Sequence, residues 1–582
     1  NSQIYHRRDL LAVQQSLKTI SGVTAIIYVQ SCATELRRKR KRGLIHDKPE
    51  TIMINSAVCE GCGDCAAKSN CVAIKPVTTP EGEKRQIDQS LCNKDMSCLD
   101  GFCPSFVSVR VDTDASSEKS FRAFPNDINL PMPSKASDSV CNIFIAGIGG
   151  TGVSTLAGIL IMSARVNGND ATSVNQTGLA QKNGGVTSQI RLAKKGALDG
   201  YMVRLPTKGA HVLLGCDSVV AANDMVLGLL DRQRSRALLN DNIDPVGVAG
   251  VGIGSIVDNT LVMTRLGAVM DPACITKLKI SDLANQVFGS TMPSNIIMLG
   301  WAVQKGWIPL GIDAIETALR LNGSAVEVNL AALRWGRLLA HAPEQLFKHI
   351  AADATVKKTS FDSAADAIAY FRRSLTNYQN ATYAGRFERL ITSFTEQLAA
   401  RNLDVEGLGI KAAQALYRAM AIKDEYEVAR LLTDKEFTDT IAVSAGANAK
   451  IAYHLAPPLL GWLKTTDGTP RKFRFGNWLT PWLQQLARMS WLRGSLIDPF
   501  GYTAERRRER AYREQVGDWI KILGERATSK NQNQVKAALD LMIAVRGYGH
   551  IRKAYLVQSE PQINAIITDL CDQPPPMNIA AE

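Results

Sequence analysis

The sequence contains no long apolar run and no secretory signal. No segment approaches the roughly 18 consecutive apolar residues that a membrane-spanning helix needs. Without a signal peptide, the twelve cysteines of this long chain are not expected to form disulfides. Histidine is also absent between His46 and His211, so the mixed Cys/His sites that zinc often uses are excluded from that stretch. We therefore expect a cytoplasmic protein that does not enter a membrane.

Positive charge is concentrated near the start of the chain. The formal net charge is +13, and the first 50 residues, with ten Lys/Arg and four Asp/Glu, contribute +6 of it. The centre of this charge is RRKRKR, Arg37 to Arg42. Such a run can bind nucleic acid, but no alternating aromatic residues or nucleic-acid-binding motif accompany it. We interpret it as the solvated end of a helix or linker and expect no nucleic-acid partner.

Seven of the twelve cysteines lie within residues 59–103, which we call the cysteine segment. Cys59, Cys62 and Cys65 are closely spaced, and the more distant Cys103 directly precedes a proline. This spacing is typical of bacterial ferredoxins, in which three close thiolates and one Cys-Pro thiolate hold a cluster. The sequence therefore predicts one 4Fe–4S cluster bound by these four cysteines.

The other cysteines of the segment, Cys71, Cys92 and Cys98, are one short of a second set of four. A second cluster would need a different fourth ligand, with Asp95 nearby, or would lack one iron. Zinc is an alternative, because it also binds thiolates, usually in two C-x2-C pairs. The glycines between the first three cysteines favour a cluster, because they let the backbone wrap closely around it.

Beyond residue 139 the pattern is a strand, a glycine-rich turn and a helix. The turn, GIGGTG, is called here the glycine loop and contains Gly147, Gly149, Gly150 and Gly152. Its G-x-G-x-x-G spacing would let a phosphate approach the first amides of the helix. A nicotinamide site also needs an acidic residue at the end of the second strand, where this sequence has Asn175 and Gln176. We expect another phosphate-bearing ligand, or a loop used only for packing.

Apolar patterns predict the remaining elements. At the start, a helix from Asp9 to about Ile20 precedes an apolar strand, Val23 to Val29. No earlier segment supplies a sheet for that strand, so we expect the chain to be the C-terminal part of a longer protein. Further strands are predicted at Val186–Leu192, His211–Gly215 and Leu261–Arg265, and closing helices at Ile312–Leu321 and Ala325–Leu339.

From about Pro343 onwards the pattern is largely helical, and composition assigns no chemistry to it. Trp478, Trp482 and Trp491 are interpreted as a packed aromatic core.

With these residues in view, the sequence resembles the large fused bacterial indolepyruvate ferredoxin oxidoreductases of the 2-oxoacid:acceptor oxidoreductase family. Six segments carry the resemblance: Ile54–Cys71, Ile87–Val107, Ile145–Ala164, Thr177–Ala193, Ala421–Leu432 and Val545–Ala554.

The resemblance implies an α/β multidomain protein. Its regions would be the tail of a thiamine-diphosphate-binding α/β domain (1–50), a ferredoxin-like 4Fe–4S domain (51–112), a linker (113–138), a Rossmann-like gamma-type domain (139–342) and a mostly helical C-terminal region of unassigned role (343–582). The family decarboxylates aryl 2-oxoacids such as indolepyruvate on thiamine diphosphate. It passes electrons through iron–sulfur clusters to ferredoxin and transfers the acyl group to CoA.

By the same resemblance, CoA would bind at the glycine loop near Gln181, Lys182 and Asn183. Thiamine diphosphate and Mg²⁺ would be bound by an N-terminal half that the chain lacks, so no catalytic residue is predicted here. We also expect a homodimer. The alternative is a ferredoxin-type electron-transfer enzyme whose Rossmann domain binds a flavin or a nicotinamide.

Overall fold

The structure of the protein is a computed structural model. It describes residues 3–32, 35–36, 39–40, 43–46, 49–69, 71, 73–89, 91–110, 121–125, 128–133, 140–178, 184–198, 202–242, 259–353, 360–446, 448–457, 462–464 and 470–573. The chain divides into two compact units, Asn1–Asp47 and Lys48–Glu582. In the part of the chain that is described, no helix is both long enough and apolar enough to cross a membrane.

The first unit contains a short 3-10 helix, Arg7–Asp9, and one α-helix, Leu10–Lys18. The predicted helix is thus confirmed, with slightly tighter ends. The strand predicted at Val23 to Val29 is wrong: these residues form no strand, and the end valines are 102% and 90% exposed. A strand needs a neighbour to pair its backbone groups, and the described residues of this unit provide none.

The run RRKRKR falls mostly outside the described residues, which include only Lys39 and Arg40 of it. Lys39 lies 4.0 Å from Glu35, one helical turn away.

The second unit begins with the cysteine segment and its flanking strands. Strands β1 (Glu50–Ile54) and β4 (Phe106–Arg110) pair antiparallel, and β2 (Ile74–Thr79) and β3 (Gly82–Ile87) form a hairpin between them. A short helix, Asp64–Ser69, and a 3-10 helix, Ser97–Asp100, lie in the loops. Both strands of the outer pair bury apolar side chains, so they support the loops from one side.

The gamma-type domain contains a six-stranded sheet. Its strands are β5 (Val140–Ile148), β6 (Asp170–Thr177), β7 (Gly185–Ala193), β8 (Val212–Gly215), β9 (Arg236–Asn240) and β10 (Ile275–Leu278). They lie in the order β10-β9-β8-β5-β7-β6, with β8, β9 and β10 parallel to β5 and β7 antiparallel to it. The strands β5 and β8 are almost wholly buried, as expected of a sheet covered on both faces.

Helices cover this sheet. Their bounds are Val153–Val166, Ser218–Ala221, Asp224–Leu227, Asn259–Val269, Ile280–Phe288, Ser294–Gln304, Ile312–Asn322, Val326–His341 and Pro343–Asp353. The strands predicted at Val186–Leu192 and His211–Gly215 are confirmed, as are the two closing helices. The strand predicted at Leu261–Arg265 is wrong, because that segment is helical. In the helix Asn259–Val269, the buried residues Val262 and Leu266 are four positions apart, so they lie on the same face of the helix.

The described parts of the expected linker, 121–125 and 128–133, pack against the gamma-type domain. Phe121, Phe124, Ile128 and Leu130 contact its apolar core. The Arg122 guanidinium donates to the carbonyls of His349 and Ile350 at 3.1 and 3.0 Å.

The C-terminal region is mostly helical, as predicted. Its α-helices are Ala364–Tyr378, Ala381–Ala399, Val405–Met420, Glu425–Leu432, Lys435–Ala445, Thr480–Arg488, Ala504–Arg526, Gln532–Ala544 and Gly549–Asp572. It also contributes two strands that were not predicted, β11 (Lys450–Leu455) and β12 (Phe473–Phe475). They extend the outer pair to a four-stranded sheet of order β1-β4-β11-β12.

The interpretation of the tryptophans as a packed core is wrong. Trp478, Trp482 and Trp491 are 64%, 69% and 70% exposed. In the helix Thr480–Arg488, only Leu483 is buried, so that helix turns the neighbouring tryptophan to solvent. The spacing of apolar residues shows that they share a face, but it does not show whether that face is covered.

Two helices of the gamma-type domain approach each other through glycines. Gly300 lies in Ser294–Gln304 and Gly336 in Val326–His341. A Cβ atom on Gly300 would overlap the carbonyl oxygen of Leu333, and one on Gly336 would overlap that of Ile297. Backbone atoms cannot yield as a flexible side chain can, so these positions require glycine.

We therefore expect Gly336→Ala to lower the free energy of unfolding by about 1–3 kcal/mol, as overpacking does in a rigid contact. Gly158→Ala is the matched control, because that helical glycine is exposed with open space around its Cβ position. The control should be neutral, or stabilising by up to about 1 kcal/mol. Thermal unfolding followed by fluorescence measures both, and equal melting temperatures would contradict the close contact.

Candidate functional site

The loop that carries Cys59, Cys62 and Cys65 is shaped by local hydrogen bonds. The Asn55 side chain accepts the amides of Ala57 and Val58 at 2.9 and 3.1 Å, which turns the chain directly after β1. Gly61 and Gly63 follow with φ angles of 68° and 80°, a region that favours glycine. The Gly61 amide donates to the Cys59 sulfur at 3.3 Å. The loop thus curls around its own sulfur atoms.

Cys103 is brought to this loop from the other side. The Asp64 carboxylate accepts the Phe102 amide at 2.7 Å. Gly101 lies so close to the helix Asp64–Ser69 that a Cβ on it would be 2.9 Å from the Cα of Cys65. The distant cysteine of the ferredoxin-type spacing therefore lies beside the three close ones.

The pKa values of these thiols show that the four sulfurs influence one another. Burial, then Cys103 and Cys59, raise the pKa of Cys62 to about 12. Burial and the same neighbours raise the pKa of Cys65 well above its usual value, and burial and Cys59 raise that of Cys103 to about 11. At neutral pH the metal-free thiols of Cys62, Cys65 and Cys103 are protonated, so binding of a metal centre there would release protons.

The second group, Cys71, Cys92 and Cys98, lies around a separate small cavity that Asp95 also lines. Burial, followed by Cys71 and Cys92, raises the pKa of Cys98 to about 12. Cys71, Cys92 and Cys98 thus share this cavity, while Cys98 and Cys71 also belong to the apolar cluster that contains Cys59, Cys65 and Cys103. Across the described ranges, no three His, Cys, Asp or Glu side chains are grouped so that they could hold a single metal ion.

The surroundings of the four-cysteine group suit an iron–sulfur cluster. Cys59, Cys65 and Cys103 belong to an apolar cluster with Ile54 and Phe106. A cluster binds each thiolate through a different iron and is tuned by burial and by hydrogen bonds to sulfur. Both features are present, since the sulfurs are largely removed from water and one accepts an amide.

A buried ion pair lies next to this loop and was not found by sequence reasoning. Glu60 contacts Lys423 at 2.6 Å, and both side chains are mostly buried. Burial raises the pKa of Glu60, but Lys423 and Lys84 outweigh it and lower the pKa to about 2. Glu60 stands between two predicted ligands, but its partner is hundreds of residues away, and no sequence pattern marks that pairing.

The glycine loop connects β5 to the helix Val153–Val166. Gly150 and Gly152 have φ angles of 89° and 95°, and a Cβ on Gly147 would lie 2.6 Å from the Val153 side chain. The Gly149 amide is already engaged, because it donates to the Gly184 carbonyl at 2.9 Å. Three glycines of the motif thus serve the tight turn and the close helix packing. The predicted residues Gln181, Lys182 and Asn183 lie outside the described residues.

The order of the sheet bears on nicotinamide binding. In a dinucleotide-binding unit the second strand pairs with the first, and its end holds the ribose. Here β7 lies between β5 and β6, and β6 is at the edge of the sheet. The end of β6, with Asn175 and Gln176, therefore does not adjoin the glycine loop in that way.

Comparison with known proteins matches the gamma-type domain and the C-terminal region. The family model described as pyruvate ferredoxin/flavodoxin oxidoreductase matches residues 142–339. A second, described as a family of unknown function (DUF6537), matches residues 364–565.

Curated relatives match about a third of the chain. The indolepyruvate oxidoreductase subunit IorB of Archaeoglobus fulgidus is 26% identical over 199 residues, which cover 34% of this chain and 92% of that protein. The subunit of the same name from Pyrococcus horikoshii is 24% identical over 199 residues, with 34% and 93% covered.

Among solved structures, the C subunit of pyruvate oxidoreductase from Thermotoga maritima is 18% identical, with a TM-score of 0.26. The match covers 34% of this chain and 96% of that one.

The family model and the named relatives agree with the resemblance carried by the glycine loop and the segments around it. By these matches, which cover about a third of the chain, residues 142–339 are similar to the 2-oxoacid:ferredoxin oxidoreductase family.

Proposed function

We propose that the chain takes part in the oxidation of an aryl 2-oxoacid, of the indolepyruvate class, to its acyl-CoA, with ferredoxin as electron acceptor. The observation that carries the proposal is the approach of Cys103 to the loop of Cys59, Cys62 and Cys65, in a chain whose residues 142–339 match the pyruvate ferredoxin/flavodoxin oxidoreductase model. The indolepyruvate class is supported by the name of the curated relatives, which match 199 residues of this chain. Thiamine diphosphate and Mg²⁺, which the family uses, are not assigned to residues of this chain.

In this proposal the four cysteines hold a 4Fe–4S cluster, which would accept and release electrons one at a time. The protein's own contribution is positional. Gly61 and Gly63 let the loop curve, and the apolar side chains of Ile54 and Phe106 keep water from the sulfurs. The Gly61 amide donates to the Cys59 sulfur, an interaction that favours the thiolate. The group of Cys71, Cys92 and Cys98, with Asp95, is the place for a second cluster, should one exist.

The cluster assignment is tested by replacing one cysteine at a time, because each thiolate holds a different iron. We expect Cys59→Ser and Cys103→Ser to lose most of the iron and visible absorbance of the anaerobically purified protein, and Cys71→Ser to lose less. Cys571→Ser is the control, since that cysteine is exposed on the last helix.

Iron, acid-labile sulfide and zinc are measured on the same samples. Zinc in place of iron in the unmodified protein would contradict the cluster, and equal iron loss from all seven substitutions would contradict a single cluster.

The glycine loop is proposed to bind CoA, whose phosphates would approach the first amides of the helix Val153–Val166. Gly149 is half-buried and does not have a positive φ angle, so a larger residue there does not strain the backbone. In this proposal a valine side chain at Gly149 would hold the phosphates off the backbone of the loop.

We expect Gly149→Val to weaken CoA binding at least tenfold, while iron content and melting temperature stay unchanged. Gly158 is exposed on the helix that follows the loop, so the Gly158→Ala variant should bind CoA normally. Isothermal titration with CoA measures both. Unchanged affinity in Gly149→Val would assign the loop to packing alone.

A further inference from the structure

Side chains of the C-terminal region hold the backbone of the loop that carries the first cysteines. The Lys423 ammonium donates to the carbonyls of Val58 and Cys59 at 3.4 and 3.3 Å. The Tyr548 hydroxyl donates to the Val58 carbonyl at 2.5 Å, and the Tyr555 hydroxyl to the Cys62 carbonyl at 3.4 Å. Three carbonyls of the loop are thus engaged by residues far away in the sequence.

The loop before Cys103 is held in the same way by Lys472. Its ammonium donates to the carbonyls of Leu99 and Gly101 at 3.0 and 2.8 Å, and it lies 5.1 Å from the centre of the Phe106 ring. Both carbonyls lie in the segment that joins Cys98 to Cys103, so the cation lies near cysteines of both groups. Burial lowers the pKa of Lys472, whereas the nearby thiolates raise it.

The β2–β3 hairpin, on which the first cysteine loop rests, is held as well. Gln414 donates to the Pro80 carbonyl at 3.2 Å, and Arg418 to the Glu81 carbonyl at 2.7 Å. Gly82 leaves room for this contact, because a Cβ there would lie 2.7 Å from the Arg418 guanidinium. The hairpin, both cysteine loops and the outer sheet therefore all contact the C-terminal region.

The cations of this contact differ in how far they are neutralised. Lys423 is paired with Glu60 at 2.6 Å, and Lys84 lies 3.7 Å from Glu81. For Lys472 no ion pair with a carboxylate is found among the residues that the structure describes. Lys472 is therefore a largely buried positive charge that lies near the cysteines and is not directly paired with a carboxylate of the described residues.

We propose that the C-terminal region, whose matching family has no known function, is a clamp that positions the cysteine loops, and that Lys472 raises the reduction potential of the cluster. The clamp consists of Lys423, Lys472, Tyr548 and Tyr555. This inference rests on the cluster assignment made above. Because reduction adds one negative charge, a nearby cation stabilises the reduced form more than the oxidised form. Salt in solution screens a partly buried charge less than an exposed one.

The test compares reduction potentials by titration followed with electron paramagnetic resonance. Lys472→Met keeps the length of the side chain but removes its charge and its donors. We expect a shift to a more negative midpoint that corresponds to about a tenfold change in the one-electron equilibrium, about 59 mV. Lys472→Arg should keep the original potential. Lys450→Met is the control, since Lys450 is exposed on the neighbouring strand β11.

Iron content and the melting temperature of iron-free protein are measured for each variant. Full iron with an unchanged potential in Lys472→Met would overturn the inference but leave the cluster assignment intact. If Lys472→Met loses iron while its iron-free form melts normally, the clamp is supported, and Tyr548→Phe should then also bind less iron. If Lys472→Met loses iron and its iron-free form also melts at a clearly lower temperature than the unmodified iron-free protein, Lys472 serves the stability of the fold, and the inference fails. Absence of iron from the unmodified protein would instead refute the proposed function.

Discussion

The strand β4 is paired on both of its edges, and this pairing ties the cysteine segment to the C-terminal region. On one edge it pairs with β1, which leads into the first cysteine loop, and on the other with β11. The Ser108 hydroxyl of β4 lies 2.6 Å from the ring of His454 on β11, which is 346 residues away in the sequence. Val107 and Val109 of β4 share a buried core with helices of the C-terminal region. The cysteine loops are therefore held by a sheet and a core to which the C-terminal region contributes.

The C-terminal region also supplies charged and polar groups that lie close to the cysteines. Backbone carbonyls beside Cys59 and Cys103 point at ammonium and hydroxyl groups, so their partners are supplied without water. Burial alone disfavours thiolates, as the raised pKa of Cys62 shows, with burial as its largest cause. The positively charged iron of the proposed cluster would act in the opposite direction, as would cations such as Lys472 nearby. The site thus combines an apolar shell with a small number of charges placed at its edge.

Much of the local structure could be predicted from the sequence, because it depends on residues that are close together in the chain. The strand, glycine loop and helix of residues 140–166 follow a known pattern and are present in the structure. What failed depends on tertiary contacts. Val23 to Val29 has the composition of a strand but no neighbour to pair with, and the exposure of Trp482 depends on which face of its helix is covered. Lys423 and Lys472 are ordinary lysines in the sequence, and their role becomes visible only when the fold brings them to Cys59 and Gly101.

If the C-terminal region holds the cysteine loops in place, both parts should respond together when the proposed cluster binds. Hydrogen exchange followed by mass spectrometry, on anaerobic iron-loaded and iron-free protein, tests it most directly. We expect iron to slow exchange both in peptides from residues 59–103 and in peptides that contain Lys423 and Tyr548, while the helices of the gamma-type domain are unchanged. Slower exchange confined to residues 59–103 would contradict the account, because the C-terminal region would then be a neighbour of the site and not its support.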